Sequence, residues 1–386
     1  MLVLVVDVAL MPILFFVAGY LATPSLQRRG PRGFVREKLV RLGIPWVLGV
    51  VLAPLATYLT YVSRNVPMSY LQFWATDFWG SLFQQGVYWF LGVLLLEFLV
   101  LVYAYAFPAR ATLQAGPRVV QPKARLFAWF VVLTAGGSIL FAPLLGLDDW
   151  QSLRVLVVQP ARIAFYVGYF ALGVCAERHA WFTEGGFRPR LALWGPGCLL
   201  AGAAYLAYRL ADTPRAVPAM AVTALLFSAF CLTALLTGVA LFSRWVNGAG
   251  LAWRTLAANS FGIYYVHPLI LYALAWVRVG VSVPSWLKAT GLVVVTLVLS
   301  LAVSALVLRR PPGLRRMFWG RVHLGGRQGA DEGEGVFWFS RPLRSKIEAL
   351  PDGSSMTVIL SVSFWMYWYC RIWSESEAAS VVLAFA

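Results

Sequence analysis

GVYWFLGVLLLEFLVL, Gly86 to Leu101, holds a single ionisable residue, Glu97, in an otherwise apolar run that continues to Phe107. A block of about 20 apolar residues crosses a bilayer as a helix, because only a helix satisfies every backbone amide within itself. A membrane β-barrel would instead show strands of about ten residues with alternating polarity, and that alternation is absent here. Working outward, similar blocks give about nine spans, near 3–22, 42–62, 87–107, 126–146, 156–176, 191–210, 217–242, 258–277 and 289–308. The expected fold is all-α: a polytopic transmembrane helix bundle.

Composition agrees with this reading. Apolar residues make up 60% of the chain and charged residues 12%, with a mean hydropathy of +0.73. A soluble domain carries roughly 25% charged residues. Lysine and arginine total 32 against 16 acids, a formal charge of +16. The cations lie between the apolar blocks, where they meet anionic lipid, so the partner is the bilayer and not nucleic acid. The four cysteines form no CxxC pair, and His179, His267 and His323 are far apart in sequence. No disulfide framework, metal site or bound cofactor is expected.

Charge in the loops sets orientation. The first loop holds Arg28, Arg29, Arg32, Arg36, Lys38 and Arg41 against Glu37, and the third holds Arg110, Arg118, Lys123 and Arg125 with no acid. The second balances Arg64 with Asp77, and the fourth sets Asp148 and Asp149 against Arg154. Basic loops stay cytoplasmic. The expectation is therefore an outside N-terminus and a cytoplasmic C-terminus, in a bacterial inner membrane. The loop Ser63–Gly86, rich in Tyr70, Trp74, Phe78 and Trp79, falls outside. It reads as interfacial aromatics or as a half-buried cover over a substrate site.

Three stretches could carry chemistry. In FVREKLVRLGIPW, Phe34 to Trp46, Lys38 and Arg41 are three apart and share a helix face. They suit either topology or a phosphate-bearing ligand. In ANSFGIYYVHPLILY, Ala258 to Tyr272, Ser260, Tyr264 and His267 fall on one face, and Pro268 leaves the Tyr264 carbonyl without its helical donor. His267 suits a general base or a satisfied core histidine. In the quoted span Glu97 shares a face with Trp89, and a carboxylate at that depth is a functional candidate, with Arg162 a candidate partner. A small-residue face in the first span, Ala18, Gly19 and Ala22, is suited to close helix packing.

Taken in order, LFFVAGYLATPSL with the basic GFVREKLVRLGIPW, then GVYWFLGVLLLEF, YVGYFALGVCAERHAWF (167–182) and NSFGIYYVHPLIL resemble the acyltransferase 3 family of integral membrane O-acyltransferases. The resemblance runs over roughly 5–310, and its entry segments look closest to the glucan-succinylating branch. It implies about ten helices and transfer of an acyl group from a cytoplasmic acyl-CoA-type donor to a hydroxyl of a carbohydrate or similar acceptor. Lys38 and Arg41, with Arg36, match the family's basic positions near the donor. His267 matches a family histidine, while Trp89, Glu97, Ser260 and Tyr264 are expected to line the acceptor side or its cavity. The family's principal histidine lies in a first helix that this sequence lacks, and His179 does not match it. The chain therefore reads as beginning at the family's second helix, with low activity and with polar groups such as Asp7 and Tyr264 turned to lipid. Residues 1–310 form the membrane domain, 311–328 a basic cytoplasmic segment and 329–386 an atypical tail. The rival function is a transporter or flippase for a lipid-linked or acylated sugar, which the intramembrane Glu97 and Arg162 would also suit. Acyl group, acceptor and oligomeric state are not legible.

Overall fold

The computed structural model describes residues 2–319 apart from 64–67, 81–82, 108–112, 115, 154, 212–215, 246–250 and 278–283. The expected tail, 329–386, lies outside the described residues. The helices are α1 (Leu2–Lys38), α2 (Ile44–Ser63), α3 (Tyr70–Gln72), α4 (Trp89–Ala106), α5 (Ala124–Leu145), α6 (Pro160–Arg178), α7 (Leu191–Leu210), α8 (Val217–Trp245), α9 (Leu251–Val277), α10 (Ser285–Val303) and α11 (Pro312–Trp319). A two-stranded hairpin, β1 (Gln151–Ser152) and β2 (Val157–Val158), precedes α6. The protein is an all-α polytopic transmembrane bundle, and each of the nine expected segments falls on a helix. One boundary moves. The segment expected from residue 156 begins as strand and becomes helix only at Pro160, whose missing amide and fixed φ suit a first helical turn.

Among the described residues six stretches are long and apolar enough to cross a membrane: Ala9–Leu59, Gly86–Ala106, Ala124–Leu145, Leu191–Leu210, Val217–Arg244 and Thr290–Leu308. The first contains a reversal. Gly30 has φ 68° and ψ 166°, a conformation that side chains disfavour, and it kinks α1. Before the kink α1 runs parallel to α6: Phe15 stacks on Tyr166 at 4.8 Å, Gly19 lies against the Phe170 carbonyl, and Gly173 lies against the backbone of Phe16 and Tyr20. After the kink the chain runs antiparallel to α4, with Phe34 on Phe98, Gly43 against Leu95, Gly92 against the Trp46 ring and Gly49 against the Tyr88 ring.

Small residues set these distances. A methyl group at Gly19 or Gly173 would overlap backbone atoms of the neighbouring helix. In lipid, where apolar surface gains little by leaving the solvent, such close contact is what holds helices together. Ala18 and Ala22 on the same helix are buried too. The outer surface is apolar in turn: Leu144 is 86% exposed and Leu199 76%. That surface is costly in water and ordinary against lipid tails.

The described part of the segment after α2 is half-buried. A π-helical turn, Phe73–Phe78, buries Phe73 and Phe78 against Ala53 and Tyr58 of α2, while Trp74 and Trp79 stay exposed. At the far end of the chain, α11 folds back onto the bundle. Its Phe318 packs on Phe261 and Tyr265 of α9 at 5.4 and 5.2 Å. The start of the segment read as merely basic is therefore an amphipathic helix with a buried face.

Candidate functional site

The basic stretch after Gly30 is helical throughout. Arg29 and Arg41 both pair with Glu37, Arg41 at 3.3 Å. Lys38 behaves differently. Its ammonium lies 4.9 Å from the Phe34 ring centroid and 4.5 Å from that of Phe98, a cation–π arrangement. Among the described residues no carboxylate lies within ion-pair distance of it. The helix widens into a π turn at Leu39–Gly43, immediately after Lys38. The wider turn carries Arg41 away from the face expected for an i, i+3 pair, so Lys38 reaches aromatic rings while Arg41 reaches Glu37. Arg36 is exposed. α11 packs against the π turn and brings Arg309, Arg310 and Arg315 to the same end of the bundle.

In the middle of the bundle, tyrosines lock α4 to α9. The Tyr88 hydroxyl donates to the Tyr265 carbonyl at 2.8 Å, and the Tyr264 hydroxyl donates to the Val87 carbonyl at 2.6 Å. Tyr264 is thus buried and bonded and does not face lipid, which corrects the expectation that it would. Nothing is described of the Asp7 side chain. Ser260 and His267 are buried on the same helix, and the Tyr264 and His267 rings are 6.1 Å apart. His267 Nδ1 is 3.2 Å from the Ile263 carbonyl, and the Tyr264 carbonyl, which Pro268 leaves without a helical donor, also meets the ring. Donation from Nδ1 makes Nε2 the basic atom of the imidazole.

Trp89 packs on Tyr166 at 5.3 Å and on Trp150 at 5.5 Å. Glu97, two turns further along α4, is 7% exposed, and among the described residues neither carboxyl oxygen has a hydrogen-bond partner. The candidate pairing with Arg162 is not made. Arg162 lies on the first turn of α6, stacks 3.6 Å over the Phe227 ring and pairs with Asp148 Oδ1 at 2.5 Å. Arg209 of α7 takes Asp148 Oδ2. The 14-residue separation and the intervening hairpin bring Asp148 to Arg162, whereas Glu97 sits about 12 Å along α4 from Trp89. Burial pushes the Asp148 carboxyl up, but the two arginines outweigh it and hold it below the usual carboxylate range. Sequence reading missed this clasp because both partners looked like separate loop and span charges. It also missed Gln85, buried, which donates to the Val155 carbonyl and accepts from the Val157 amide, fixing the hairpin against α4.

These features define a polytopic helical membrane protein with a basic end, a tyrosine lock between helices and a buried carboxyl that has no hydrogen-bond partner among the described residues. The sequence profile of the acyltransferase 3 family, described as an acyltransferase domain, matches residues 3–305, and the chain belongs to that family. Neither the search of curated proteins nor that of solved structures returned a match.

Proposed function

We propose that this membrane acyltransferase takes its acyl group from an acyl-CoA-type thioester on the cytoplasmic side and transfers it to a hydroxyl of a carbohydrate-like acceptor. The observation that carries this reading is Lys38, a cation held over two aromatic rings with, among the described residues, no carboxylate within ion-pair distance, in the same basic stretch as Arg41 and the exposed Arg36. An ammonium held over aromatic rings, at an end of the bundle rich in guanidiniums, suits phosphate oxygens. The acceptor hydroxyl attacks the thioester carbonyl and loses its proton to a base. The carbon–sulfur bond breaks, and the thiolate leaves and takes up a proton. His267 Nε2 is the nearest candidate for holding that hydroxyl, with Ser260, Tyr264 and Trp89 shaping the acceptor side. The basic loops are cytoplasmic and the N-terminus lies outside.

The test is donor binding to the protein in lipid nanodiscs. Arg41→Glu should weaken acyl-coenzyme A binding far more than Arg118→Glu, which removes an exposed loop charge. Equal effects would return Lys38 and Arg41 to a topological role alone. Cysteines placed in 116–120 and 68–80 test the orientation: an impermeant thiol reagent should label only the latter in intact spheroplasts.

A further inference from the structure

Many buried polar groups of this bundle follow one of two patterns, although among the described residues several hydroxyls, such as those of Ser138, Tyr169 and Ser300, have no partner. Hydroxyls give their proton to a carbonyl one turn back, as Thr57 does to Ala53, Thr134 to Phe130 and Thr296 to Leu292. Carboxylates take arginines, as Glu37 and Asp148 do. Glu97 does neither. A carboxyl can accept hydrogen bonds at both oxygens and so calls for a donor from elsewhere, and the described residues supply none. A buried oxygen left this way costs more than a bonded one gains.

Its neighbour in sequence decides what reaches it. Phe98, the next residue, presents its ring to Phe34, to Phe170 and to the Lys38 ammonium at 4.5 Å. Glu97 therefore lies one residue, about 1.5 Å along the helix axis, further into the bundle than the ring that meets the cation assigned above to the donor's phosphates. In an acyl-coenzyme A the stretch between phosphates and thioester is an arm bearing two amide groups. Those N–H groups are the donors that a carboxyl lacks, and they occupy the part of the ligand that follows the phosphates inward.

We infer that Glu97 binds the amide arm of the thioester donor, accepting a hydrogen bond from an arm N–H, and so aligns the thioester behind the phosphates held at Lys38. This inference rests on the donor reading of the basic end. It makes Glu97 a donor-binding residue and leaves the proton transfer to other groups.

Two probes separate the arm from the phosphates: coenzyme A, and its nucleotide half, adenosine bisphosphate, which lacks the arm. Binding is measured on purified protein in nanodiscs. Glu97→Leu should weaken coenzyme A binding by up to about tenfold, as expected for a lost hydrogen bond, and leave the nucleotide half unchanged. Glu97→Gln, which keeps a carbonyl acceptor, should lose less. Thermal stability of both variants, at or above that of the parent, excludes misfolding as the cause. Unchanged coenzyme A binding in a folded Glu97→Leu overturns the inference alone. Failure of both probes to bind the parent protein overturns the donor reading and this inference with it.

Discussion

Asp148 and Glu97 are two carboxyl groups shielded by the same bundle, and they are treated in opposite ways. Asp148 sits in the turn after α5 and is closed on both oxygens by Arg162 and Arg209, so that it ties the hairpin region to α6 and α7. The Arg162 guanidinium is closed in turn by the Phe227 ring. Glu97 sits deeper, and among the described residues none offers it a hydrogen bond. The clasp is saturated and reads as structure. The carboxyl without a partner among the described residues is a cost that the fold does not repay, and the donor's amide arm is the ligand proposed for it. Charge inside a membrane protein is thus informative chiefly through what it lacks.

The largest effect expected from this contrast is on the clasp. Arg162→Leu strips Asp148 of its more buried partner and removes the stacking on Phe227. It should cost about 2–4 kcal/mol, somewhat less than a fully enclosed pair because Asp148 keeps some access to solvent. Thermal unfolding in a fixed detergent checks it, and a variant as stable as the parent would break the contrast. Glu97→Leu should move the other way. Replacing an unsatisfied buried carboxyl by an apolar group of similar size should stabilise the protein by about 1–3 kcal/mol, so that stability rises while coenzyme A binding falls. A loss of stability there would mean that the carboxyl does have a structural partner. Arg209→Ala, at the more exposed end of the clasp, should cost only about 1 kcal/mol.

The pH dependence sharpens the same point. The arginines hold the folded-state pKa of Asp148 below its unfolded value. Its contribution is therefore complete above the unfolded carboxylate pKa, about 4, and is lost as pH falls through the lower folded value. The melting temperature of the parent should decline below about pH 4 more steeply than that of Arg162→Leu. Parallel declines would show that Asp148 does not contribute in this way.

Much of the fold was legible because lipid leaves the chain so few options: each apolar block had to be a helix. What was not legible was local or tertiary. Residues 28–41 looked like a loop because they are charged. Arg, Lys and Glu are good helix formers, however, and Arg29 and Arg41 bracket Glu37 along the helix, so it runs on through the charges. Nothing in LVRLG announces the π turn that sends Lys38 and Arg41 to different neighbours. Glu97 could be singled out from its depth in an apolar run, but its lack of a partner could not. That depended on Arg162 finding Asp148 through a hairpin held in place by Gln85, seventy residues away from one of its contacts. The Tyr264 hydroxyl was on the expected face, yet its bond to the carbonyl of Val87 crosses 177 residues of sequence.

The claim on which the rest stands is covalent acyl transfer. The direct measurement supplies acyl-labelled coenzyme A to sealed vesicles containing the protein and a glycan acceptor, then follows the label after the membranes are dissolved. The account predicts label bound covalently to the acceptor, resistant to denaturation, released by mild base as an ester is, and lost in Arg41→Glu. Movement of the acceptor across the membrane with no covalent label would contradict it and leave a transporter in its place.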